Sequence, residues 1–103
     1  MYARNLTLRL KVNTGADFTR QVENDILPLL RKQDGFKDEI TFLGADNRAV
    51  AISLWDNKEH ADAYGRDTYP KVLKTMEKMV EGTPKLDAYE VSNSTWHRIA
   101  AQI

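Results

Sequence analysis

Trp55, His60, Tyr64 and Tyr69 stand close together in the chain, and their types suit the handling of a flat, weakly acidic organic molecule. His60 and Tyr64 are four residues apart, so on a helix they share one face. A neutral imidazole takes a proton from a phenol or quinol, and aromatic side chains sandwich a ring. His60 is therefore the candidate base, with Trp55, Tyr64 and Tyr69 as candidate walls of a small-molecule pocket. The plainer reading stays open beside it: Trp55 and Tyr64 as packing residues, His60 as a solvated side chain at a helix start.

Other chemistries find less support. The chain has no cysteine, which excludes disulfides, thiolate catalysis and thiolate-held zinc or iron–sulfur clusters. Its two histidines, His60 and His97, are far apart and predict no metal site. No Ser-His-Asp arrangement or glycine-rich phosphate loop is present. Asp38 and Glu39 adjoin on a strand and point to opposite faces, so they cannot act as a carboxylate pair. Met76 and Met79 read as adaptable core. Lys71, Lys74 and Lys78, with Glu77 and Glu81 opposite, read as a solvated helix face.

The elements that must position the aromatic group follow from periodicity. Residues 4–12 place Leu6, Leu8, Leu10 and Val12 on one face of a strand, against Asn5, Thr7, Arg9 and Lys11 on the other. Thr14 and Asp17 form a capping-box pair opening a helix over 15–33, with Phe18, Val22, Ile26, Leu29 and Leu30 as its apolar stripe. Pro28 removes a helical hydrogen bond and predicts a kink near 24–28, and Gly35 predicts a left-handed stop. Residues 36–44 read as a second strand. Ala45, Asp46 and Asn47 then turn into a third over 48–56, making a hairpin. Asp56 and Glu59 predict a second capping box and a short helix, which Thr68, Tyr69 and Pro70 restart. Val72, Leu73, Met76, Met79 and Val80 form the next stripe. Gly82 and Pro84 predict its end, and residues 85–92 a last strand.

The order strand, helix, strand, strand, broken helix, strand is the ferredoxin-like βαββαβ pattern. It is an α+β fold with a four-stranded antiparallel sheet and both helical segments on one face. The third strand has no polar side: Val50, Ile52 and Leu54 alternate with Ala49, Ala51, Ser53 and Trp55. Helices cover only one of these faces. A second copy of the chain is the simplest cover for the other, so the expected assembly is a homodimer closed as a dimeric α+β barrel. The tail 92–100, with Trp96 and Ile99, is expected to cross to, or pack along, that partner, in an interface of ~800 Å² per chain.

Composition agrees with one ordinary globular domain over 1–103: 42% of residues are hydrophobic and 29% charged. Fifteen basic and fifteen acidic side chains cancel, which disfavours nucleic acid or an anionic membrane as partner. No apolar run is long enough to span a bilayer, and MYARNLTLRL lacks a signal-peptide layout. A cytoplasmic location is the expectation.

The strand end SLWD, the helix pair NKEHADAYGRDTYPKVLKTM and the strand end YEVSNST resemble the antibiotic biosynthesis monooxygenase group of the dimeric α+β barrel superfamily. The likeness spans nearly the whole chain in element order, but its motifs specify fold more than reaction. It implies a site between sheet and helices, and a cofactor-free oxygenase of aromatic or quinol-type molecules. Such an enzyme deprotonates its substrate and lets the carbanion meet dioxygen in a dry pocket. In the heme-degrading relatives an asparagine near the position of Asn5 serves catalysis, so the resemblance implies Asn5 as a substrate-orienting hydrogen-bond donor. Those relatives also need a histidine on the second long helix to hold iron, and residues 67–82 contain none. Their tryptophan corresponds to Tyr64. The likeness thus stops short of heme, and no cofactor is expected. The rival expectation is a dimeric ligand-binding or stress-related module without chemistry, since one fold hosts many functions.

Overall fold

The computed structural model describes residues 1–96. Four strands, β1 (Tyr2–Leu10), β2 (Phe36–Leu43), β3 (Arg48–Trp55) and β4 (Val80–Glu90), form one antiparallel sheet in the order β2-β3-β1-β4. Between β1 and β2 run the helices α1 (Gly15–Gln21) and α2 (Leu27–Arg31). Between β3 and β4 run α3 (Lys58–Asp67) and α4 (Tyr69–Met76). This is the α+β, ferredoxin-like arrangement expected from the pattern.

One core lies between the helices and one sheet face. Leu6, Leu8 and Leu10 of β1 and Ala49 and Trp55 of β3 meet the helical stripes there. Phe18, Val22, Ile26 and Leu30 are buried at strict four-residue spacing. In an α-helix of about 3.6 residues per turn that spacing drifts by ~40° per step. The chain removes the drift with a wide π turn, Val22–Ile26, joining α1 to α2. Pro28, which has no N–H to donate to Asn24, stands at the start of α2. The expected kink is thus a π turn.

Several boundaries and caps differ from the sequence reading. The first strand ends at Leu10; Val12 is exposed, and Asn13 takes a left-handed turn at φ 65°. Thr14 makes no helix cap, because its hydroxyl turns back to the Lys11 carbonyl at 2.6 Å. The α3 cap is Asn57, which accepts the His60 N–H at 2.8 Å, and not Asp56. The helical segment ends in a 3-10 turn, Glu77–Met79, and β4 begins at once. Gly82 and Pro84, expected to lie before the last strand, are inside it. An edge strand tolerates a residue without N–H, and the pairing of β1 with β4 shifts between Thr7 and Arg9. Gly35 is left-handed as expected, at φ 80°.

The far sheet face carries Val50, Ile52 and Leu54 of β3. Phe42 of β2 and Tyr89 of β4 share it and are about half exposed. Polar groups, among them Asn5, Thr7 and Asp87, stand among them. Of the tail, Trp96 is exposed, and 97–100 lie outside the described residues. No helix among the described residues is long and apolar enough to cross a membrane.

Candidate functional site

The alternation that buries Leu6, Leu8 and Leu10 also turns Arg4 toward the helices, because it lies one period earlier on the same strand. Across the sheet Arg4 stands opposite Ser53, and Ser53 opposite Glu39. In the next row Leu6 stands opposite Ala51, and Ala51 opposite Thr41. The central strand β3 thus shows the helices only small side chains at Ala49, Ala51 and Ser53. Their shortness leaves a gap under α1 and α3.

That gap is a cavity of about 50 Å³, walled by apolar side chains from the helices, with Arg4, Glu39, Thr41 and Ser53 as its polar sheet residues and Tyr64 and Tyr69 beside them. Its wall at the β4 edge is Leu86, 44% exposed. Val22, Glu39 and Thr41 also border a neighbouring cleft of about 310 Å³ between α1 and β2. Ligand pockets for drug-sized molecules run to about 300–1,000 Å³. A ring system therefore has to use the cleft as well as the cavity, passing over Glu39 and Thr41.

Arg4 is only 8% exposed, and its guanidinium lies 5.2 Å from the Tyr64 ring centroid and 5.1 Å from that of Tyr69. The two rings present π electrons to the cation. Gly65 of α3 makes this possible: a Cβ there would come within 3.2 Å of Arg4 Cζ and overlap Nη1. Burial draws the arginine pKa down, while Tyr64, Tyr69 and Asp62 raise it. A guanidinium remains charged in any such setting. Asp62 is itself bound to Lys58 at 2.7 Å.

Glu39 is held above its ordinary value of 4.5 by burial, against the opposing hydrogen bond from the Thr41 hydroxyl. Tyr64 is pushed up to about 12, first by burial, so it stays a neutral donor. Trp55 is fully buried, stacks on Tyr64 at 4.8 Å and 29°, and donates its indole N–H to Ser53 at 2.9 Å. Phe36 meets Trp55 edge-on at 5.6 Å.

The expected site residues divide. Tyr64 and Tyr69 line the cavity, and Trp55 supports Tyr64 from behind. Asn5 does not reach it: the register puts it on the far sheet face, opposite Ile52 and Asp87, with its amide toward Thr7 at 3.5 Å. His60 does not reach it either. Its Nδ1 is 2.7 Å from Asp56 Oδ1 on the protein surface, and both side chains are partly exposed. Asp56 raises the His60 pKa, and His60 lowers that of Asp56. Period two turns Asn5 away for the same reason that it turns Arg4 inward. His60 shares an i,i+4 relation with Tyr64, but its preferred partner is the carboxylate one turn earlier.

Arg4 is a charged group that the sequence reading passed over, and Glu39 one that it weighed only as half of a carboxylate pair with Asp38. An arginine in phase with three leucines was a visible signal. Glu39 was less visible. Phe36 faces Trp55, but the β2–β3 pairing shifts register between Phe36 and Asp38, so Phe36 and Glu39 share a face despite their odd spacing.

No protein-family model matches this chain, and no curated protein sequence matches it. Solved structures share its fold. A protein of unknown function from Nitrosomonas europaea superposes with a TM-score of 0.77 at 13% identity, over 91% of each chain. A candidate antibiotic biosynthesis monooxygenase from Bordetella bronchiseptica gives 0.74 at 14% identity, over 87% of this chain and 95% of that one. The monooxygenase ActVA-Orf6 of Streptomyces coelicolor, in complex with the ligand Nanaomycin D, gives 0.77 at 13% identity, over 90% and 88%. This chain therefore has the fold of structures named antibiotic biosynthesis monooxygenases, as its sequence resemblance implied.

Proposed function

We propose that this protein is a cofactor-independent monooxygenase of small aromatic or quinol-type molecules, working in the cytoplasm as a homodimer. The observation that carries the reading is Glu39, a carboxylate with a raised pKa at the join of an apolar cavity and an open cleft. The fold likeness to a monooxygenase solved with an organic ligand supports the same class.

In this reading the Glu39 carboxylate takes a proton from an activated CH₂ of the substrate. The carbanion gives an electron pair to dioxygen, and a C–O bond forms. The resulting peroxide anion takes the proton back from Glu39 to give the hydroperoxide R₂CHOOH. The second C–H proton then leaves as the O–O bond breaks and the departing hydroxide takes up a proton, so that R₂CH₂ + O₂ gives R₂C=O + H₂O. Apolar walls keep bulk water from quenching the carbanion. Glu39 takes the role that the sequence reading assigned to His60, and neutral Tyr64 is the donor in place of Asn5.

An oxygen electrode tests this with an anthrone or quinol as substrate. Uptake of one dioxygen per substrate is expected, with an acid limb in the pH profile centred above 4.5, where Glu39 becomes a base. Glu39→Gln should lower kcat about 10²- to 10⁴-fold and erase that limb. Wild-type turnover in Glu39→Gln would remove Glu39 from the role. The cavity is small and has Phe18 and Met76 in its walls, which favours a second reading as a binding module without chemistry. Ligand binding with no oxygen uptake across the substrate panel would select it.

A further inference from the structure

Arg4 is the one buried charged side chain among the described residues. It carries five N–H donors and is more than nine-tenths buried at the wall of the cavity. Among the described residues no carboxylate forms an ion pair with it and no acceptor takes a hydrogen bond from its guanidinium. Two tyrosine faces hold it, yet ring faces leave the in-plane donors unused. A buried charge without a close ionic partner is costly; Asp62 acts on Arg4 only beyond ion-pair distance and is itself bound to Lys58.

We infer that Arg4 is the subsite for a carboxylate carried by the ligand, so that the molecule taken up is an aromatic acid. The inference rests on the proposed small-molecule pocket and specifies what enters it. A guanidinium edge matches a carboxylate through two parallel N–H···O bonds. A cavity of about 50 Å³ holds a group of that size, while the attached ring extends past Glu39 and Thr41 into the cleft. Arg4 and Glu39 are separated by one strand, which places their Cα atoms roughly 10 Å apart. A two-ring acid spans that distance, with its acid end at Arg4 and its reacting carbon at Glu39. Gly65 keeps the guanidinium against the α3 backbone, and the tyrosine rings fix its plane.

Calorimetric titration of the full chain with 2-naphthoate and with its neutral analogue 2-naphthylmethanol tests the inference without any turnover. The wild type should bind the acid at least tenfold more tightly than the alcohol. Arg4→Met should lose that preference, the acid losing at least tenfold more affinity than the alcohol. Equal affinities in the wild type, or no binding of either, would overturn the inference before any variant is made, so it does not depend on Arg4→Met folding. A preference that survives in folded Arg4→Met would overturn it as well. Oxygen uptake separates the two proposals. A protein that prefers the acid but consumes no oxygen keeps the carboxylate subsite and loses the monooxygenase. One that oxidises anthrone without preferring acids does the reverse.

Discussion

Gly65→Ala is the sharpest structural test of how Arg4 is held. A Cβ at this position would lie 3.2 Å from Arg4 Cζ and overlap Nη1. Ordinary carbon contacts are ~3.5–4.0 Å, so the guanidinium has to retreat by about 1 Å. It can do so, because it ends a flexible side chain and is not backbone. The α3 helix gains from the exchange, since glycine in a helix interior costs about 0.8–1.0 kcal/mol relative to alanine. Gain and crowding should nearly cancel, leaving Tm within about 5 °C of wild type, the shift expected of ~1 kcal/mol in a domain of this size. Binding should not be spared. A bidentate pair displaced by about 1 Å loses its second bond, so 2-naphthoate affinity should fall about tenfold, or ~1.4 kcal/mol, while 2-naphthylmethanol affinity stays the same. The assay is calorimetric titration with both ligands beside a thermal melt. Unchanged acid affinity in a folded Gly65→Ala protein would refute the claim that Gly65 sets the guanidinium position. A Tm loss well beyond 5 °C would show that the contact is rigid packing.

Two further outcomes concern the surface and the assembly. The His60 ring, bound to Asp56, should titrate above its ordinary 6.5 by NMR, and Asp56→Asn should return it toward that value. With His60 raised and Asp56 lowered below 3.8, the pair supports the fold between those two pKa values. The contribution fades as pH rises through the histidine value or falls through the aspartate value. An unshifted His60 would mean that the pair does not persist in solution. Sedimentation at micromolar concentration should show a homodimer, with the far sheet face closed by Val50, Ile52, Phe42 and Tyr89. Phe42→Lys on that face should shift the equilibrium toward a folded single chain, and a wild-type monomer would end the dimer proposal.

The order of elements was legible in the chain because it is a local matter. Alternating leucines make β1, a four-residue stripe from Phe18 to Leu30 makes the first helical segment, and Gly35 and Asn47 mark turns by their tolerance of positive φ. These patterns fall short where a neighbouring strand or a competing partner decides the outcome. Thr14 spends its hydroxyl on Lys11, Asn57 displaces Asp56 as cap, and Gly82 and Pro84 fit within a strand because that strand is at the edge.

The candidate site is the clearest case. Tyr64 and Tyr69 were readable as an aromatic group because they share one broken helix. Asn5 and His60 were assigned to them by likeness or by spacing, and neither carries register information. What joins Arg4 to Ser53 and Glu39 is the pairing of three strands, one of them shifted between Phe36 and Asp38. Side-chain periodicity within a strand is set by the chain itself, but which residues stand abreast in a sheet is set by hydrogen bonding between segments distant in sequence. The fold class therefore belonged to the sequence alone, and the placing of a buried cation and a raised carboxylate on one cavity belonged to the tertiary structure.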